Sequence, residues 1–186
     1  VNRLRLFLNQ QITCIFGKSH LEHVERQLKI TPEENLERIF NSVKFLKDKG
    51  IRVFYDAEHY FDAFKQDKNY AIKTLVKAVE AGAERLVLCD TNGGVLPEEA
   101  EEIVRETKKQ LEDRDLKFEI GLHFHDDSGL ALANTLSSLK YAKQVQGTIN
   151  GIGERVGNLN FSEFPPVYIK KMKHKRNFNL KKLKTV

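Results

Sequence analysis

The chain has 186 residues, of which 40% are hydrophobic and 31% charged, which suits one domain with a real core and excludes a disordered or low-complexity chain. No apolar run approaches the roughly 20 residues of a membrane span, and the opening VNRLRLFLNQQ lacks the long apolar segment and cleavage site of a secretory signal, so a cytoplasmic protein is expected. The net charge of +5 belongs to the end of the chain: residues 170–186 (KKMKHKRNFNLKKLKTV) hold eight Lys or Arg and no acid, leaving 23 bases against 26 acids elsewhere. The expected organisation is therefore a domain over residues 1–169 and a basic tail over 170–186, either a solvated end or a surface for anions or nucleic acid.

Elements in chain order alternate strand and helix. LRLFLNQQ (4–11) reads as the end of a helix leading into a first strand, QITCIF (11–16). Thr31-Pro32-Glu33-Glu34 predicts a capping box with proline in the first turn. Leu36, Ile39, Phe40, Val43 and Leu46 then mark one helical face, and Gly50 ends the helix. A second strand (IRVFYD, 51–56) precedes a helix marked by Ile72, Leu75, Val76 and Val79 and closed at Gly82. RLVLC (85–89) is a third strand, followed by a helix that opens at Pro97 and carries Ile103, Val104 and Leu111. KFEIGLHFH (117–125) is the fourth, with Leu132, Ala133, Leu136 and Leu139 on the next helix, and QVQGTI (144–149) is the fifth. Strands separated by single helices pair in parallel through crossovers. Either an open doubly wound sheet or a (β/α) barrel satisfies that pattern, and a full barrel needs eight strands where five are legible. Cys14 and Cys89 each sit in an apolar run and read as buried free thiols.

In both architectures, sites form at the carboxyl ends of the strands. Those ends read Gly17-Lys18-Ser19-His20, Asp56-Ala57-Glu58-His59, Asp90-Thr91-Asn92-Gly93-Gly94, His123-Phe124-His125-Asp126-Asp127 and Asn150-Gly151-Ile152-Gly153-Glu154-Arg155. His123 and His125, at i and i+2 on a strand, face the same way and read equally as two metal ligands or a structural polar pair. Asp126 and Asp127 precede Ser128, and at least one is expected to cap the next helix. Asp56 and Glu58 share the same spacing; facing a cavity they could bind metal, position a substrate or serve as a base, while Glu58 could also be a solvated strand exit. Thr91 and Asn92 sit in a tight glycine turn suited to holding a substrate carboxylate. Gly151, Gly153 and Gly157 superficially match a dinucleotide fingerprint, but their spacing is GxGxxxG and they follow the last strand.

DAEHYFDAF (56–64), LCDTNGGVLP (88–97), GLHFHDDSGLALANTL (121–136) and GTINGIGERVGN (147–158) together resemble the citramalate synthases. Their wider superfamily contains isopropylmalate synthase, homocitrate synthase and hydroxymethylglutaryl-CoA lyase. IFGKSH (15–20) fits the same branch, and the likeness covers about residues 10–160. It implies an α/β fold, namely the later five of the eight strands of a (β/α)8 TIM barrel. It also implies a divalent metal (Mn, Mg or Zn) and a condensation of acetyl-CoA with a 2-oxo acid, pyruvate. By resemblance His123, His125 and Asn158 are metal ligands. Glu58 and Glu154 are catalytic, and Asp56, Thr91, Asn92 and Arg155 bind substrate. A homodimer, with no membrane or nucleic-acid partner, is implied for the full-length family.

The family's first strand carries an Arg-Asp pair, the aspartate being a third metal ligand, and this sequence contains no such strand. Nor does it contain the family's effector-binding domain. An incomplete, inactive half-barrel is thus expected, in need of its other half or of self-association. Other synthases or lyases of the superfamily, or a non-catalytic module using the basic tail, remain alternatives.

Overall fold

In the computed structural model, residues 11–174 and 178–185 are described. Five strands form one sheet in the order β1-β2-β3-β4-β5: β1 (Ile12–Lys18), β2 (Arg52–Glu58), β3 (Arg85–Asp90), β4 (Glu119–Phe124) and β5 (Gln144–Gln146). Every neighbouring pair is parallel. A doubly wound sheet reverses its strand order at a switch point. Here the order never reverses, so the sheet is an arc of a (β/α) barrel, and the choice left open by the strand pattern is settled. The proposed helix end at 4–10 lies outside the described residues.

The helices form where their punctuation predicts. In α1 (Pro32–Asp48) the Thr31 hydroxyl accepts from Glu34 N at 3.1 Å while the Glu34 carboxylate accepts from Thr31 N at 3.0 Å, the reciprocal capping box. α3 (Lys68–Glu80) and α4 (Pro97–Glu112) follow β2 and β3. α5 (Ala131–Ser138) follows β4. Between β2 and α3 lies an unanticipated helix, α2 (Tyr60–Gln66), whose Tyr60, Phe61, Ala63 and Phe64 are all buried. At seven residues it spans only about two turns, too short to establish a helical period in the sequence.

Alternate strand residues face the helices. Tyr55 and Ala57 of β2, Leu86 and Leu88 of β3, and Ile120, Leu122 and Phe124 of β4 pack with Leu75, Ile103, Val104 and Leu111 in one core. The opposite face is concave and carries Cys14 and Phe16 of β1, Asp56, Cys89, His123 and Gln146. Phe16 is 75% exposed there. Cys14 and Cys89 are both free, but only Cys89 is buried; Cys14 is exposed, because β1 is an edge strand and Cys14 lies on its uncovered face. Several strand boundaries also move. β1 and β2 run on to Lys18 and Glu58 and β4 is shorter at both ends, whereas β5 stops at Gln146, where a Cβ on Gly147 would lie 2.6 Å from the Leu159 carbonyl.

The basic segment is not simply a free tail. Tyr168 stacks on Phe164 at 5.4 Å and on His174 at 4.3 Å, so the chain up to His174 is tied to the body by aromatic contacts.

Leu88 is fully buried in the central strand. Leu88→Ala is expected to lower unfolding stability by about 2–5 kcal/mol, since the surrounding core cannot collapse onto the void. Chemical denaturation followed by far-UV circular dichroism measures it, and a change below about 1 kcal/mol would contradict this packing.

Candidate active site

The carboxyl end of the sheet is assembled by register. Cys89 of β3 lies beside His123 of β4, and His123 beside Gln146 of β5. In-register residues share a face, so one row of polar side chains crosses the concave surface. Gln146 Oε1 lies 2.6 Å from His123 Nδ1, and Asn158 Nδ2 lies 3.0 Å from His123 Nε2. An imidazole protonated at Nδ1 satisfies both, donating to Gln146 and accepting from Asn158. Gln146 Nε2 also donates to Asp56 Oδ1 at 3.3 Å, which links the imidazole to the carboxylate. Burial raises the Asp56 carboxyl above its usual range, and it raises the Cys89 thiol well above its own.

His125 lies just past β4. Its ring stacks on that of His123, with centroids 5.1 Å apart, and its backbone bridges to Asn158. Burial, then His123, then Arg155 lower its pKa, which disfavours the charged ring. Arg155 Nη2 lies 3.0 Å from His125 Nδ1, which places the His125 proton on Nε2. Thus His123, His125 and Asn158 are adjacent, as the sequence suggested. Donation to a cation needs the Asn158 amide to turn its oxygen inward and the His125 proton to move from Nε2 to Nδ1, which Arg155 must then release. Asn158 Oδ1 now points at Gly153, where an added Cβ would fall 1.6 Å away. Two imidazoles and an amide oxygen at one strand end fit a divalent cation in donor chemistry.

Arg155 sits in left-handed backbone at φ 54° and ties the mouth together. It binds Asp127 through two contacts of 2.7 Å and donates to the Thr91 carbonyl at 2.7 Å. Of the two aspartates expected near the helix start, Asp126 takes the capping role, its Oδ1 accepting from Ala131 N at 2.9 Å. Asp127 instead holds the arginine, which depresses its carboxyl below the usual range. Gly93 allows this approach, since its φ is 61° and a Cβ there would meet Asp127 N at 2.7 Å.

The remaining sequence candidates divide. Glu58 pairs with Lys18 at 2.7 Å, strand against strand in register, rather than lying in a loop. The Thr91 hydroxyl accepts from His59 N at 2.8 Å, and Asn92 donates to Asp62 at 2.6 Å. Glu154 stands apart, its side chain 75% exposed and 3.6 Å from Arg155 Nη1. The last loop forms a short 3-10 turn, Ile149–Gly151, and no helix begins at its glycines, so the dinucleotide pattern has no structural counterpart.

Five participants were missed. Gln146 was readable as one of two glutamines at i and i+2 in an apolar strand, the same signal as the histidine pair. Asp62 is hidden in a helix that was not foreseen. His20, His23 and His59 gather at the mouth with ring centroids 4.6 and 4.4 Å apart, a cluster drawn from two loops that no linear spacing reveals.

Comparison with known proteins identifies the family and the fold. The HMGL-like family profile matches residues 9–186. The chain is 48% identical over 179 residues to the (R)-citramalate synthase of Sulfolobus acidocaldarius, covering 94% of this chain and 33% of that protein. It is 37% identical over 142 residues to the 2-isopropylmalate synthase of Sulfurisphaera tokodaii, covering 76% of this chain and 35% of that one. The hydroxymethylglutaryl-CoA lyase of Pseudomonas aeruginosa superposes with a TM-score of 0.80 at 16% identity, over 98% of this chain and 62% of that one, a likeness of fold. The chain spans about a third of the length of the curated relatives it matches.

Breaking the Arg155–Asp127 pair should loosen the mouth without unfolding the barrel arc. Asp127→Asn is expected to cost less than about 1 kcal/mol globally, because the pair is partly exposed. Amide exchange over residues 126–129 and 147–158 should nevertheless accelerate. Because the folded-state pKa of Asp127 is depressed, its contribution is complete above the ordinary carboxylate range and is lost as pH falls through the depressed value. Hydrogen exchange with mass spectrometry reads both effects; unchanged exchange in the variant would show that Arg155 does not restrain these loops.

Proposed function

This chain belongs to the HMGL-like family, and we propose that it forms part of the catalytic barrel of a citramalate synthase. That enzyme would join acetyl-CoA to pyruvate. The observation that carries the reading is the convergence of His123, His125 and Asn158 beside the Thr91 loop, in a chain 48% identical to (R)-citramalate synthases. Identity to a 2-isopropylmalate synthase and a homocitrate synthase is lower, 37% in each case, which favours the citramalate reading over its neighbours. We place residues 1–169 in the barrel and 170–186 outside it. We also place the protein in the cytoplasm, and no helix among the described residues is long and apolar enough to cross a membrane.

His123, His125 and Asn158 would hold a divalent cation, which supplies Lewis-acid polarisation of the keto acid's oxygens when bound. The residues around it would then position the reactants. The Thr91 hydroxyl already accepts from His59 N and keeps its own proton to donate to a carboxylate. Glu58, facing the same mouth with Lys18 at 2.7 Å, is the carboxylate placed to take a proton from the acetyl methyl group. Asp56 and Asn92 lie at the same strand ends as further substrate contacts. Arg155 would organise the loop rather than react, since its guanidinium is already committed to Asp127, the Thr91 carbonyl and His125. With its side chain largely in solvent, Glu154 could serve only after the loop closes over substrate.

The full-length protein carrying this chain should release free CoA from acetyl-CoA with pyruvate and form citramalate, and a chelator should abolish turnover. His123→Ala should lower kcat/KM by more than about 100-fold, beyond the 10–100-fold typical of residues that merely orient ligands. Thiol release assayed with pyruvate, 2-oxoisovalerate and 2-oxoglutarate checks it. Preference for either of the latter two would reassign the substrate, and metal-independent turnover would reject the site.

A further inference from the structure

We propose that Asp56, Cys89 and His123 form a thiolate-bearing site for a borderline divalent cation such as zinc or cobalt, offset from the His123–His125–Asn158 set. The three residues sit on adjacent strands β2, β3 and β4, and all face the concave surface. One ligand atom from each lies within 4.8 Å of the others. A cation with bonds of about 2.0–2.3 Å can reach all three after a small contraction. No loop has to close, because every donor stands on a strand of the rigid sheet.

The donors are already oriented from behind. The Cys14 thiol donates to Asp56 Oδ1 at 2.8 Å, and Gln146 Nε2 approaches the same oxygen at 3.3 Å. The same glutamine accepts from His123 Nδ1 at 2.6 Å, so one amide fixes both the carboxylate and the imidazole. Partners of this kind are what set the orientation of metal ligands. Cys89 is 6% exposed, and its thiol makes only a weak contact with the Val87 carbonyl at 3.7 Å, so its lone pairs are free. On loading, the Cys89 S–H bond breaks, its proton passes to solvent and a sulfur–metal bond forms. One thiolate and one carboxylate then balance a dication. Sulfur selects the zinc group over magnesium, which prefers oxygen. Because His123 is common to both sets, a cation here excludes one at the histidine pair. The inference does not rest on the condensing activity.

Titrating the metal-free, reduced protein with Co²⁺ tests it. One equivalent should produce a near-ultraviolet thiolate-to-cobalt charge-transfer band. The band should persist in Cys14→Ser and in His125→Ala, and vanish in Cys89→Ser. Cobalt binding without the band, no binding at all, or a band lost in Cys14→Ser or His125→Ala would each overturn the site. Should Cys89→Ser fail to fold, as far-UV circular dichroism would reveal, the wild-type and Cys14→Ser spectra still decide it. Loss of citramalate formation alone would leave these spectra unchanged, which separates this site from the proposed reaction.

Discussion

The parallel, in-register pairing of β3, β4 and β5 is the constraint from which the rest of the mouth follows. It sets Cys89, His123 and Gln146 in one row. Parallel pairing through helical crossovers brings every strand to its carboxyl end on the same side of the sheet. Chemistry-bearing residues separated by tens of positions therefore meet there, while the helix-facing residues between them build the core. A slip of one position in β4 would turn His123 toward the helices and bring Leu122 to the concave face.

The loops that complete the site are held by charge and by unusual backbone. His59, Asn150 and Arg155 all adopt positive φ in the strand-end loops. Such conformations cost about 1–3 kcal/mol each and persist when neighbours enforce them. Arg155 shows the enforcement directly, joining the β3 loop, the β4 loop and its own loop through Thr91, Asp127 and His125. The guanidinium suits this role because its planar fork serves several acceptors at once. Its bond to His125 Nδ1 also keeps that ring in the Nε2–H tautomer, so the orientation of the imidazole and the order of the loop are coupled.

Much was legible in the linear pattern. Thr31 to Glu34 declared a capping box, and the box forms with both of its hydrogen bonds. The apolar faces of α1, α3 and α4 were readable because each helix is long enough to show its period. The two histidines were visible as a pair because strand geometry alone makes i and i+2 neighbours. Less could be read where structure depends on contacts distant in sequence. α2 is not legible because seven residues are too few to show a helical period. Cys14 and Cys89 looked equivalent in their runs, yet one lies on an edge strand and is exposed while the other is central and buried.

The sequence by itself determined the alternation of strand and helix, the helix boundaries and the residue types gathered at the strand ends, since these depend on periodicity and capping within about 20 positions. It also carried the resemblance that the family match bears out. Only the tertiary structure decided that the strands run in unbroken order as a barrel arc. It alone showed that Asp127 restrains Arg155 while Asp126 caps the turn, and that Gln146 joins His123 to Asp56. The physical reason is the same in each case. A side chain's role is set by the partner it meets, and residues 56, 123 and 146 meet only once three separate crossovers have closed.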